Sequence, residues 1–335
     1  MSTRAGVPVG AAAPPRWAEL PPAAGAAVMA TGIVSIGLWL IGPRGLTGAL
    51  SGVLFLLAAL LWFVLAAGFA ARLTRDRARW RSEADTPPAL TAVAATCVLG
   101  VRVSNSGWQA LAAALLVLAM AVWPVLLVSV MRNWHRGMPG AAFLVCVATQ
   151  APAVLAAELA AAGYGDWLAR AALVLFLLGL LLYLEALVRF DFRQIAEGSG
   201  DHWIAGGALA ICALAASRLL ASPLWTGPVH DALRVTTLLL IVLELAWYVV
   251  LMGAEVRWRR TGYDLGRWST VFPLGMAAVA CLSAAETAGV EDLRVLGELL
   301  LWIALGAWLL TATGLVLTGT GRRGPRATGG PRATD

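Results

Sequence analysis

The sequence contains no lysine; all 25 of its basic residues are arginine, which reads as a codon-usage bias rather than as chemistry. Charge of either sign is scarce at 13% of residues, against 60% hydrophobic residues and a mean hydropathy of +0.78. A soluble protein of 335 residues is not that apolar, so the composition points to a chain that crosses a bilayer many times. Only three histidines occur, His135, His202 and His230, and they are too scattered for metal-ligand spacing. The four cysteines, Cys97, Cys146, Cys212 and Cys281, form no CxxC pair and sit inside apolar runs. They read as small buried hydrophobes rather than disulfides or metal ligands. No nucleophile, base or metal cluster converges on one place, so neither enzyme chemistry nor a cofactor is expected. The net charge of +6 could suggest nucleic acid, but loops at a membrane surface account for it, and no nucleic-acid partner is expected.

What is present is apolar sequence in ten runs. They cover Ala23–Gly42, Gly48–Ala71, Ala89–Ser104, Gln109–Met131, Gly140–Ala161, Trp167–Val188, Trp203–Leu220, Asp231–Gly253, Trp268–Thr287 and Leu293–Thr318. Each is about long enough to cross ~30 Å of hydrocarbon as a helix rising ~1.5 Å per residue. Short and longer connections alternate, which predicts five helical hairpins. The N-terminal tail, the loops after spans 2, 4, 6 and 8, and the C-terminal tail hold 19 of the 25 arginines. The other side has Arg44, Arg102, Arg170, Arg218, Arg234 and Arg294. The positive-inside rule then puts both termini in the cytoplasm. Residues 1–22 are Ala/Pro-rich without an apolar core of a signal peptide, and read as a disordered tail. Residues 23–318 form one transmembrane domain, and 319–335 a second disordered tail.

Odd and even spans differ in kind. The five odd spans hold 13 leucines and the five even spans 40. The odd spans carry most of the Gly and Pro and all four cysteines. Leucine suits lipid contact, whereas small residues allow close helix approach or a wet lumen. The predicted architecture is therefore an all-α polytopic membrane protein, with odd helices as an inner, pore-lining ring and even helices as an outer ring. Ordinary helix packing without a pore is the alternative.

On such an inner wall, Thr31, Ser35, Thr96, Thr149, Gln150 and Ser217 offer donors, and Gly32, Gly100, Gly207, Pro273 and Gly275 offer space or a kink. Donors of this type replace part of an anion's hydration shell without trapping it. Each hydroxyl could equally bond its own helix or a neighbour. Arg102 and Arg218 lie at similar heights on spans 3 and 7, where they would attract anions or else snorkel to headgroups. Glu244, mid-span in span 8, is the candidate for proton coupling, set against a structural carboxyl on an outer helix. Phe272, beside Pro273, could plug a narrow lumen or simply pack in the core.

Two stretches resemble signatures of the tellurite-resistance/dicarboxylate transporter family, which includes slow-type anion channels, malate permeases and sulfite efflux pumps. They are Val28-Met29-Ala30-Thr31-Gly32-Ile33-Val34-Ser35 and Arg267-Trp268-Ser269-Thr270-Val271-Phe272-Pro273-Leu274-Gly275-Met276. Glu255 with Val256-Arg257-Trp258 also fits. The resemblance implies ten helices around a central pore, a homotrimer with one pore per subunit, and an aromatic gate on helix 9 at Phe272. The expected function is a channel or carrier in the plasma (inner) membrane for small inorganic anions, C4-dicarboxylates or sulfite. The alternative is a proton-coupled ten-helix metabolite exporter of another class.

Overall fold

The computed structural model describes residues 20–197, 200–258 and 262–321, the last three by backbone alone. Most of both expected tails lies outside these residues, as do Arg4, Arg16, Arg259, Arg260, Arg322, Arg323, Arg326 and Arg332 of the orientation argument.

Among the described residues twelve α-helices follow one another. They are α1 (Gly25–Ile41), α2 (Gly45–Arg75), α3 (Arg77–Ala84), α4 (Thr91–Asn105), α5 (Gln109–Arg132), α6 (Leu144–Leu159), α7 (Asp166–Arg189), α8 (Gln194–Glu197), α9 (Trp203–Leu220), α10 (Pro228–Arg257), α11 (Arg267–Ala288) and α12 (Asp292–Gly321). Ten of them, α1, α4 and α6 counted with the single helical turns that adjoin them (Pro22–Ile41, Pro87–Asn105 and Gly140–Tyr164), are long and apolar enough to cross a membrane, and α3 and α8 are short connectors. The hairpin α11–α12 shows how the tight turns work. Gly289 caps α11 at φ 68°, ψ 40°, a left-handed conformation that glycine adopts without the Cβ clash of other residues. The even helices run past the ends read from hydropathy: α2 continues to Arg75 and α10 to Arg257. Arginines in a last turn face the negative end of the helix dipole and reach headgroups with their tips, so the added turns cost little.

The two kinds of helix separate as expected. In the most apolar stretch of each odd span, 78–94% of residues are buried, against 17–39% in the even spans. The inner helices close a ring in which α1 packs on α4, α4 on α6, α6 on α9, α9 on α11 and α11 on α1. Each outer helix sits in the groove between its own hairpin partner and the next inner helix. Thus α2 touches α1 and α4, α5 touches α4 and α6, α7 touches α6 and α9, α10 touches α9 and α11, and α12 touches α11 and α1. The result is five hairpins related by an approximate five-fold arrangement.

Small residues make the ring's seams. A Cβ on Gly32 would lie 2.6 Å from Val98 Cγ1 of α4, and one on Gly100 2.4 Å from Leu155 Cδ2 of α6. On Gly207 it would lie 2.8 Å from Pro273 Cγ of α11, and on Gly275 2.7 Å from Ile33 Cγ2 of α1. The remaining seam, α6–α9, is closed by Cys146 and Cys212, two free thiols with sulfurs 3.5 Å apart. Helices in lipid gain little from hydrophobic sorting, so such close approach is what holds the ring together.

Candidate anion pathway

A cavity lies within the inner ring and takes its walls from all five inner helices. Ile33 and Ile36 come from α1, Cys97, Val98 and Val101 from α4, and Ala151 and Val154 from α6. Ile211, Leu214 and Arg218 come from α9, and Met276 and Val279 from α11. Apart from the adjacent Cys97 and Val98, neighbouring lining residues on each helix are three or four apart, which places them on one face. The space open to a water's centre is about 20 Å³. That is room for roughly one water, since a single water needs ~10–15 Å³ on this measure. The cavity is therefore narrow, and its walls are apolar except at Arg218. Constrictions of this kind gate by excluding water.

Arg218 forms an ion pair with Glu158 of α6 at 2.9 Å, and both side chains are mostly buried. The pair stands near the ends of α6 and α9, the side opposite α3 and the start of α11. Two further acidic residues near span ends are similarly tied to arginines one turn away, Glu185 to Arg189 and Glu298 to Arg294.

Phe272 is fully buried and does not line the cavity. It lies four residues before Met276 and seven before Val279 on α11, so it shares their stripe one turn closer to the helix start. The helix beneath it is anchored. Arg267 pairs with Glu255 at 3.2 Å, Glu255 accepts from the Trp203 indole at 3.3 Å, and Trp268 donates to the Tyr263 hydroxyl at 3.2 Å. Phe272 thus stands on the ring-facing side about 8 Å along α11, by ~1.5 Å per residue.

The structure relocates most of the residues read as lumen wall, and of those candidates Arg218 alone lines the cavity. Thr31, Thr96 and Thr149 accept hydrogen bonds from Trp308 of α12 (3.0 Å), Trp62 of α2 (2.9 Å) and Trp123 of α5 (3.0 Å). Each also donates to a carbonyl one turn back in its own helix, Ala27, Ala92 and Val145 respectively. Their oxygens face the outer ring, where an unpaired hydroxyl or indole would be costly. Among the described residues, at least three of the five grooves between outer and next inner helix carry this Trp-to-Thr latch. Gln150 points outward too, donating to the Phe176 carbonyl at 3.0 Å and to Cys212 Sγ at 3.2 Å. Ser217 lies in the α9–α11 seam, sharing hydrogen bonds with Ser283 (2.7 Å) and Thr287 (2.8 Å). Gly32, Gly100, Gly207, Pro273 and Gly275 are the seam residues described above.

Ser35 and Arg102 belong to another cluster. Ser35 bonds Ser51 of α2, and the Arg102 guanidinium reaches Ser35, Ser51 and Ser106. Arg102 also lies 4.3 Å from the Trp39 ring centroid and 5.2 Å from that of Phe55. It is thus held between α1, α2 and α4 by hydroxyls and aromatic faces, away from the cavity. Glu244 of α10 is buried, with Oε2 lacking a hydrogen-bond partner among the described residues. It is not among the cavity's lining residues.

What sequence reasoning missed is the apolar wall itself: Ile36, Cys97, Val101, Val154, Ile211, Leu214 and Val279 carry no chemical flag. Residues 19–316 match the family model described as voltage-dependent anion channel. The chain belongs to the voltage-dependent anion channel family. The two signature stretches resemble this same family, and membership makes the protein a multi-pass membrane protein that moves anions, as a channel or transporter. No curated protein matches the chain.

Proposed function

We propose that small anions pass along the axis of the inner ring and that Phe272 closes the path on the α3 side. Family membership supports the anion, and the observation that carries the route is the cavity walled by all five inner helices above Phe272. Arg218 gives the far mouth a positive group while Glu158 offsets most of its field. Charge is the only selective feature on this wall, so small inorganic anions, sulfite and C4-dicarboxylates all remain substrates of the pathway. The arginine distribution supports both termini in the cytoplasm and a plasma (inner) membrane location. A homotrimer with one path per subunit follows from the family resemblance.

The test is chloride and nitrate flux in proteoliposomes, wild type against Phe272→Ala. Removing the ring should raise flux at least about tenfold, because a dewetted constriction loses its plug. Because a buried Phe→Ala change costs ~3–5 kcal/mol, Phe272→Leu serves as a milder companion. Well-folded variants with wild-type flux would remove Phe272 as the gate.

One observation favours a proton-coupled carrier as second reading: the buried Glu244 carboxyl, whose Oε2 has no hydrogen-bond partner among the described residues, on the helix packed against the one that carries Phe272.

A further inference from the structure

A second and larger cavity lies on the outer side of the ring. It occupies about 260 Å³ between α2, α4 and α5, and α3 and Pro21–Pro22 close one end. Small-molecule pockets run roughly 300–1,000 Å³, so this one suits a slim occupant. Its walls are almost wholly apolar, with Leu65 and Phe69 on one side and Leu118 on the other. Leu118 is 43% exposed on the surface that faces lipid, so the cavity borders the bilayer. At its inner end Trp62 has already given its indole N–H to Thr96. From there to Arg72 at the mouth is ten residues of α2, about 15 Å, or half of the ~30 Å hydrocarbon. The depth is that of one leaflet.

The mouth is polar and basic. Arg72, Arg75, Arg77, Arg79 and Arg81 fall within ten residues at the junction of α2 and α3. Arg72 pairs with Glu83 at 2.9 Å, and both line the cavity. Arg75, Arg77 and Arg81 are exposed within the same ten-residue stretch as Arg72. Trp80 also lines the cavity, and its indole Nε1–H is buried without a hydrogen-bond partner among the described residues. A donor in that position calls for an acceptor that the described residues do not supply.

We propose that this cavity holds one acyl chain of an anionic phospholipid, with the phosphate among Arg75, Arg77 and Arg81 and an ester oxygen accepting from Trp80 Nε1–H. A void facing lipid forfeits dispersion contacts, and an acyl chain restores them. Lipid tails are as apolar as the cavity wall, so the tail itself selects nothing. Selection comes from the headgroup, since arginines just beyond a membrane span attract anionic lipid.

The full-length protein is reconstituted in vesicles of equal phosphatidylcholine and phosphatidylglycerol and extracted in detergent, and retained lipid is counted by mass spectrometry. Retained phosphatidylglycerol should exceed phosphatidylcholine by at least about fivefold. The surface variant Arg75→Gln/Arg77→Gln/Arg81→Gln should bring that ratio to within about twofold of the bulk. Ala66→Trp, which fills the cavity from α2, should cut retained lipid severalfold. Equal retention of both lipids by the wild type would overturn the proposal, as would an Ala66→Trp variant that keeps its phosphatidylglycerol. So would a rise in bound lipid on deleting residues 1–19, which would make that segment the occupant.

Discussion

Neutralising Glu158 tests whether the Arg218 pair sits on the path of the anion. The two charges are 2.9 Å apart, so an anion in the cavity feels a dipole rather than a free cation. With an anion about 6 Å from the guanidinium and about 8 Å from the carboxylate, Coulomb energies at an effective dielectric of ~20 are roughly −2.8 and +2.1 kcal/mol. The pair then attracts by only about 0.7 kcal/mol, and Glu158→Gln removes about 2 kcal/mol of repulsion. Two kcal/mol would be about thirtyfold in occupancy, and screening by water at this mouth reduces it to roughly three- to tenfold. The assay is chloride flux at 20 and 200 mM salt, on wild type and on Phe272→Ala. Glu158→Gln should raise flux, more so at low salt, and Arg218→Gln should lower it. Each variant leaves one charge of the pair without its partner, so thermal stability is followed alongside. If Glu158→Gln lowers flux as much as Arg218→Gln while stability holds, the pair is structural and the electrostatic reasoning fails.

The Trp-to-Thr latches give a stability prediction. Trp62→Phe, Trp123→Phe and Trp308→Phe should each cost about 0.5–1.5 kcal/mol in detergent and leave anion selectivity unchanged. The three sites lie in different grooves, so the costs should add in the triple variant. Altered selectivity in the single variants would return Thr31, Thr96 or Thr149 to the lumen. Glu244 lies off the cavity, so Glu244→Gln should leave chloride flux and its pH profile between pH 5 and 8 unchanged in proteoliposomes. Loss of pH-gradient-driven uptake in that variant would instead establish the carrier reading.

The division into two rings was legible because lipid contact and close helix contact ask for opposite residues, Leu in one case and Gly, Ala or Cys in the other. Which face of an inner helix meets the lumen was not legible. Helix α11 is apolar all round, and 94% of its most apolar stretch is buried, so hydrophobicity does not separate lumen face from seam face. The polar residues of the inner helices follow a different rule. A hydroxyl within the membrane needs a partner, and the central cavity is walled by apolar side chains except at Arg218, so Thr31, Thr96 and Thr149 turn to indoles on the outer helices. Arg102 and Arg218 look equivalent along the chain. They part company through residues remote in sequence: Trp39, Phe55 and Ser51 enclose one, and Glu158 meets the other. Phe272 was singled out as a gate only through the resemblance of its stretch to a family signature, since an aromatic beside a proline is otherwise an ordinary core residue.

That anions travel the axis of the inner ring is tested most directly by a thiol already in place. Cys97 is the one native cysteine of the four that lines the central cavity; Cys146 and Cys212 close a seam and Cys281 is buried outside the cavity's wall. In proteoliposomes bearing Phe272→Ala, a negatively charged methanethiosulfonate reagent should enter with the current, modify Cys97 and abolish most chloride flux. Adding Cys97→Ser should protect it. Undiminished flux after exposure to the reagent, or inhibition that persists in Cys97→Ser, would mean that anions do not pass between these five helices.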